Sequence, residues 1–180
     1  LAQLYYKDDL KQNAKPHYEF VTNKPNGEFT EVALTRLSEI LLLDKNYNEA
    51  IPVLQRLESE ADYPQNVIFA QSNLMKAFYH QKNYTEAVNY AEVVLANSKI
   101  DKNIKSDAHV IIARSAMETD DEDKAKLAYA EVEKNASGEL AAEALYYRAY
   151  FENKEQKFET SNATVQKLAK DYSSYKYYAA

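Results

Sequence analysis

Lys45-Asn46-Tyr47-Asn48-Glu49-Ala50 and Lys82-Asn83-Tyr84-Thr85-Glu86-Ala87 are nearly the same hexapeptide, and their alanines stand 37 residues apart. Ala125 follows 38 residues later and Ser161 another 36, each in the same local context. A second series of small residues, Ala33, Ala70, Ala108 and Ala144, keeps the same spacings of 37, 38 and 36. Two series sharing one irregular spacing mark an internal repeat. A period of this length means stacked supersecondary units that bury a continuous core together.

The residues around the hexapeptides fit a helix pair. Before each turn runs an apolar stripe at helical spacing: Ala33, Leu37, Ile40, Leu41, then Ala70, Leu74, Ala77, Phe78. After the turn come Ala50, Leu54, Leu57, then Ala87, Ala91, Val94, then Ala125, Tyr129, Val132, and finally Val165 and Leu168. The connecting residues are polar (Asp44-Lys45-Asn46, Gln81-Lys82-Asn83, Asp120-Asp121-Glu122, Glu155-Gln156-Lys157), as a solvated turn requires. Small residues at fixed places let two helices cross closely. Composition agrees: 180 residues contain two glycines and four prolines. So few glycines predict few tight turns with positive φ, and long helices with short polar links.

At these positions the chain resembles the tetratricopeptide repeat (TPR) family. Leu37-Ser38, Leu74-Met75 and Ile112-Ala113 stand where that family has an aliphatic and a small residue on the first helix, helix A. Tyr47, Tyr84 and Phe158 stand at its turn aromatic, and Ala50, Ala87, Ala125 and Ser161 at the alanine of the second helix, helix B. The departures are a period above the usual 34, Met75 in place of a small residue, Arg148 in place of an aliphatic one, and Glu122 in place of the aromatic. The resemblance implies an all-α, right-handed α-solenoid of antiparallel helix pairs, with about four full units plus partial ends. Residues 1–180 then read as a single solenoid with units at 1–30 (partial), 31–66, 67–103, 104–140 and 141–177. In the partial first unit, Ala14 takes the helix B alanine place and Pro16 follows it as Pro52 follows Ala50, near a helix start where proline forfeits no intrahelical bond. Leu1 would fall inside a helix A, and Tyr177 to Ala180 would open another. The chain therefore reads as a piece of a longer array without capping helices.

The resemblance also places function. Helix A of each unit would line a concave groove. Carried over by register, the groove set is Val32, Thr35, Arg36 and Glu39, then Phe69, Ser72, Asn73, Lys76, Tyr79 and His80. Next come Asp107, Val110, Ile111, Arg114 and Met117, and last Glu143, Tyr146, Tyr147, Tyr150 and Lys154. Tyr and Arg offer large contact area with a polar handle. The candidate protein-binding residues are thus Arg36, Asn73, Lys76, Tyr79, Arg114, Tyr146, Tyr147 and Tyr150. Against them stands the abundance of tyrosine, 16 in this chain, since a Tyr at helical spacing more often packs than binds. The Lys/Asn/Arg clamp with which some relatives hold a peptide carboxylate is matched only at Asn73. Thr35, Glu39, Asp107 and Ile111 fill its other places, and the acidic ones would repel a carboxylate.

Other chemistries find little footing. A formal charge of −6 without a basic run argues against nucleic acid as partner. With no cysteine there is no disulfide framework or thiol chemistry. His17, His80 and His109 lie in different units without a partner at helical spacing, so neither a metal site nor a cofactor is expected. Asp120-Asp121-Glu122-Asp123 lacks the spaced ligands and glycine of a calcium loop and reads as a solvated turn beside a helix N-terminus. No nucleophile elbow or phosphate loop is present, so no catalytic residues are assigned. No apolar run approaches the roughly 20 residues of a membrane span.

The expected function is a non-catalytic scaffold for a protein or peptide partner. Self-assembly through uncapped ends and a glycan-binding tyrosine surface are the alternatives. The joints Ala61-Asp62-Tyr63-Pro64 and Lys170-Asp171-Tyr172-Ser173-Ser174, with Ala142-Glu143-Ala144-Leu145-Tyr146-Tyr147, resemble bacterial envelope repeat proteins of the TolA-binding coordinator and outer-membrane assembly lipoprotein type. They imply a periplasmic or outer-membrane-associated setting, with the cytoplasm as alternative.

Overall fold

The computed structural model describes residues 1–24 and 27–175. Among the described residues the chain forms ten helices and no strand: α1 (Ala2–Lys7), α2 (Lys11–Thr22), α3 (Thr30–Leu43), α4 (Tyr47–Glu60), α5 (Pro64–His80), α6 (Tyr84–Ala96), α7 (Lys102–Glu118), α8 (Glu122–Asn135), α9 (Gly138–Lys154) and α10 (Phe158–Tyr172). Odd-numbered helices are A helices and even-numbered ones B helices. Each A packs on the B that follows (α1 on α2, α3 on α4, α7 on α8, α9 on α10), and B packs on the next A (α2 on α3, α4 on α5, α8 on α9). Two compact units result, Leu1–Tyr90 and Ala91–Ala180, with the boundary inside α6. The expected helix opening at Tyr177 to Ala180 lies outside the described residues.

All five A–B turns are built alike. Asp9, Lys45, Lys82, Asp120 and Gln156 take φ of 58°, 55°, 60°, 57° and 61°. The residue after each one donates its N–H to a carbonyl five residues back: Leu10 to Tyr5 (2.8 Å), Asn46 to Leu41 (2.8 Å), Asn83 to Phe78 (2.9 Å), Asp121 to Ala116 (2.9 Å) and Lys157 to Glu152 (2.8 Å). This bond closes the helix in the Schellman manner. Glycine scarcity therefore does not exclude positive φ, contrary to the sequence expectation. Non-glycine residues carry it, at roughly 1 kcal/mol each, held by the closing bonds. The following helix is then capped: Asn46, Asn83 and Asp121 accept from the N–H of Glu49 (3.4 Å), Glu86 (3.4 Å) and Lys124 (3.1 Å).

Both small-residue series are core. Ala33, Ala70, Ala108 and Ala144 are buried, as are Ala50, Ala87, Ala125 and Ser161. The helix A stripes and the first three helix B stripes are buried too. On α10 the stripe is corrected: Val165 is 49% exposed, and the inward place is Thr164, whose hydroxyl donates to Glu152 (2.7 Å). The prolines also differ from expectation. Pro16 and Pro52 lie inside α2 and α4, past the first turn, so each forfeits one helical hydrogen bond.

Candidate functional site

In the unit Ala91–Ala180, the candidate residues of α7 and α9 come together around a buried carboxylate. Glu143 sits on α9 among Ala141, Ala142, Ala144 and Leu145 and is 1% exposed. Arg114 on α7 reaches it with both edges of its fork, Nε to Oε1 (2.7 Å) and Nη2 to Oε2 (2.5 Å). The Tyr129 hydroxyl from α8 donates to Oε1 (2.9 Å). A buried carboxylate persists only when its lone pairs are met, and three donors from two helices meet them here. Burial drives the Tyr129 phenol far above its ordinary pKa, and the charge of Glu143 adds to this. Tyr129 is thus a permanent donor.

The tyrosines extend from this centre. Tyr147 stacks on Tyr129 with centroids 4.4 Å apart. Tyr146 and Tyr150 meet the Tyr147 ring edge-on at 5.2 and 6.4 Å, and Tyr150 also contacts Phe151 at 5.4 Å. Tyr146 packs as well against the core of Ala142, Leu145 and Leu168. Burial and then Glu143 raise the pKa of Tyr147. Of the three, Tyr150 is the open one, 41% exposed. Packing explains most of Tyr147; Tyr150 is left to meet solvent or a ligand.

In the unit Leu1–Tyr90, Arg36 is also engaged by a carboxylate. Its Nη1 donates to Glu39 Oε2 (2.7 Å), its guanidinium lies over the Tyr6 ring at 5.0 Å, and the Tyr6 hydroxyl donates to Glu39 (2.7 Å). Burial first and Glu39 second raise the pKa of Tyr6, while the bond to Glu39 raises that of Arg36. Along α5, Asn73 donates to the Phe69 carbonyl (2.8 Å). Lys76 is half-buried, and Tyr79 packs with His80 and Tyr84 at 5.9 and 5.8 Å.

Several residues expected in the groove are core instead. Ser72, Val110, Ile111 and Glu143 are buried, because α5, α7 and α9 bury more than one face between neighbours. Sequence reading missed Tyr129 as a partner of the site and Tyr6 as the cover of Arg36. Tyr129 lies within a helix B core stripe, and its hydroxyl alone could have signalled a buried polar partner.

His17 stacks on Tyr5 and His80 on Tyr47, with centroids 5.7 and 4.8 Å apart. Among the described residues no group of three or more His, Asp or Glu is placed to hold a metal ion, and no helix is long and apolar enough to cross a membrane.

No protein-family model and no curated protein matches the sequence. Solved structures do match. The MamA RS-1 ArsTM double mutant superposes with a TM-score of 0.73 at 13% identity, over 96% of this chain and 91% of that one. The crystal structure of a Podosopora anserina kinesin light chain with nearly identical TPR-like repeats gives 0.63 at 14% identity, over 93% and 89%. The fold is therefore an all-α, TPR-like repeat fold.

Proposed function

We propose that the chain is a non-catalytic scaffold that binds a protein or peptide through its helix A faces, with Tyr150 as principal contact. The reading rests on the TPR-like fold together with one observation: Tyr150 is 41% exposed yet fixed by ring contacts to Tyr147 and Phe151. A braced aromatic with a polar end loses little conformational entropy on binding, which is what favours tyrosine at hot spots. Arg114 and Tyr146 flank it, Tyr147 supports it from below, and Arg36, Asn73, Lys76 and Tyr79 extend the same role along α3 and α5.

Peptides selected by display against the whole chain test this. Their affinity falls about tenfold or more when Tyr150 is replaced by Ala, the scale of a hot spot, and holds when the exposed Gln166 of α10 is replaced. Equal affinity for both variants would reject the helix A face. A bacterial envelope setting is proposed from the joint sequences alone. Recovery of the native protein with cytosolic markers on fractionation would reject it.

A further inference from the structure

Within the unit Ala91–Ala180, α8 and α10 leave a hollow of about 660 Å³ between them, floored by α9. Its walls include Lys126, Ala130 and Glu133 of α8, Arg148 and Glu152 of α9, and Lys157 beside α10. Arg148 and Tyr150 are two positions apart, about 200° around the helix, so this site is separate from the tyrosine face.

The other unit provides an internal comparison. Counted from the left-handed residue of each unit's first turn, Asp9 or Asp120, Leu37 holds the place of Arg148, and Leu41 that of Glu152. A smaller hollow of about 380 Å³ lies there, lined by Leu37, Leu41, Glu19, Glu49 and Pro52 among others. Its described walls carry two carboxylates and no cation. The same architectural notch has thus been rebuilt in the second unit. Two buried leucines (4% and 1% exposed) give way to an arginine and a glutamate, and the volume grows. Packing alone favours the leucines, so their replacement asks for another cause.

The charges of the rebuilt hollow are organised. Arg148 bridges Glu133 (3.1 Å) and Glu152 (3.0 Å) across the floor. Lys126 and Lys157 converge on Glu155 from opposite sides. The walls hold four cations, Lys134 being the last, against three carboxylates, so the hollow is locally positive in a chain of net charge −6. Ala130, the Phe151 ring and the alkyl stems of the lysines and arginine supply apolar surface. The volume falls within the roughly 300–1,000 Å³ of small-molecule sites.

We infer that this hollow is a binding site for a small amphiphilic organic anion, a carboxylate on an aromatic or alkyl body, bound as a free molecule. The carboxylate meets Arg148 and the Lys126–Lys157 pair, and the body lies on Ala130 and Phe151. Calorimetry with ¹⁵N-resolved NMR on the whole chain tests it, using 2-naphthoate and its neutral amide as probes. The acid is expected to bind at millimolar or lower concentration and shift amides around Lys126, Ala130 and Thr160, with the amide about tenfold weaker, as loss of a charge-assisted contact predicts. Arg148→Gln should weaken the acid to a similar extent. Ala130→Trp, which fills the hollow and leaves every charge in place, should abolish binding while the melting temperature holds. Absence of binding, equal response to the amide, shifts centred on Leu37 and Leu41, or indifference to Ala130→Trp would each overturn the site. Tighter binding of a tetrapeptide ending in free Phe would overturn the free-molecule source.

Discussion

Glu143 shows what a single residue does in this chain. With 1% exposure it would be intolerable alone, and Arg114 and Tyr129 make it tolerable. Replacing Arg114 by Ala leaves a buried charge with one donor, and unfolding free energy is expected to drop by about 3 kcal/mol, as for other broken buried pairs. Arg114→Met combined with Glu143→Leu should recover most of it, so that denaturant melts of the four-member cycle give strongly non-additive energies. If Arg114→Ala alone melts like the parent, the pair is not structural. His109 behaves differently. Burial lowers its pKa, with Glu131, Lys105 and Lys134 around it, so the unfolded chain takes up a proton before the folded one does. Its stabilising contribution is complete above the unfolded value of about 6.5 and is lost as pH falls through it toward the folded value. His109→Gln should flatten the melting temperature between about pH 7 and 5; an unchanged slope would place the titration elsewhere.

At the scale of the element, the A–B turn governs. Positive φ falls to Lys, Asp and Gln in turn, residues with a steric cost there that glycine avoids. Lys82→Gly is accordingly expected to stabilise by about 0.5–1 kcal/mol despite its greater freedom in the unfolded chain, read as a rise in denaturant midpoint. A fall would mean that the lysine side chain contributes more than the strain it carries. Helix faces explain why the sequence revealed the elements better than the site. Ala50, Ala87 and Ala125 recur because close crossing leaves room for nothing larger, and such a steric demand is visible in any one copy. The pairing of Arg114 with Glu143 depends on α7 and α9 lying side by side, 29 residues apart in sequence, and no periodicity encodes that. Ser72, Val110 and Ile111 fall in the core rather than the groove for the same reason: a helix between two neighbours has a wider buried arc than one stripe suggests.

At the scale of the molecule, two compact units share α6 across their boundary. Repeat proteins gain stability from each unit and from nearest-neighbour contacts. Hydrogen exchange after Arg114→Ala should therefore lose protection in α7, α8 and α9 while α3 and α4 change little; uniform loss would mean that the chain unfolds as one body. The repeat, the all-α class and most of the core were legible because they restate one local pattern several times. The rebuilt hollow was legible only as an oddity, Arg148 where an aliphatic residue belongs. Its meaning waited on seeing which helices flank it.

The turns suggest how such a chain tolerates change in length. Between A and B there are always three residues (8–10, 44–46, 81–83, 119–121 and 155–157), whereas between B and A there are three, five and two at 61–63, 97–101 and 136–137. Insertions and deletions have one kind of port. A short protease-cleavable loop grafted at 97–101 should leave the helical circular dichroism intact, and the same graft at 81–83 should cost cooperativity, because it breaks the closing bond from Asn83 to Phe78. Indifference to the graft at 81–83 would show that turn geometry does not set the repeat.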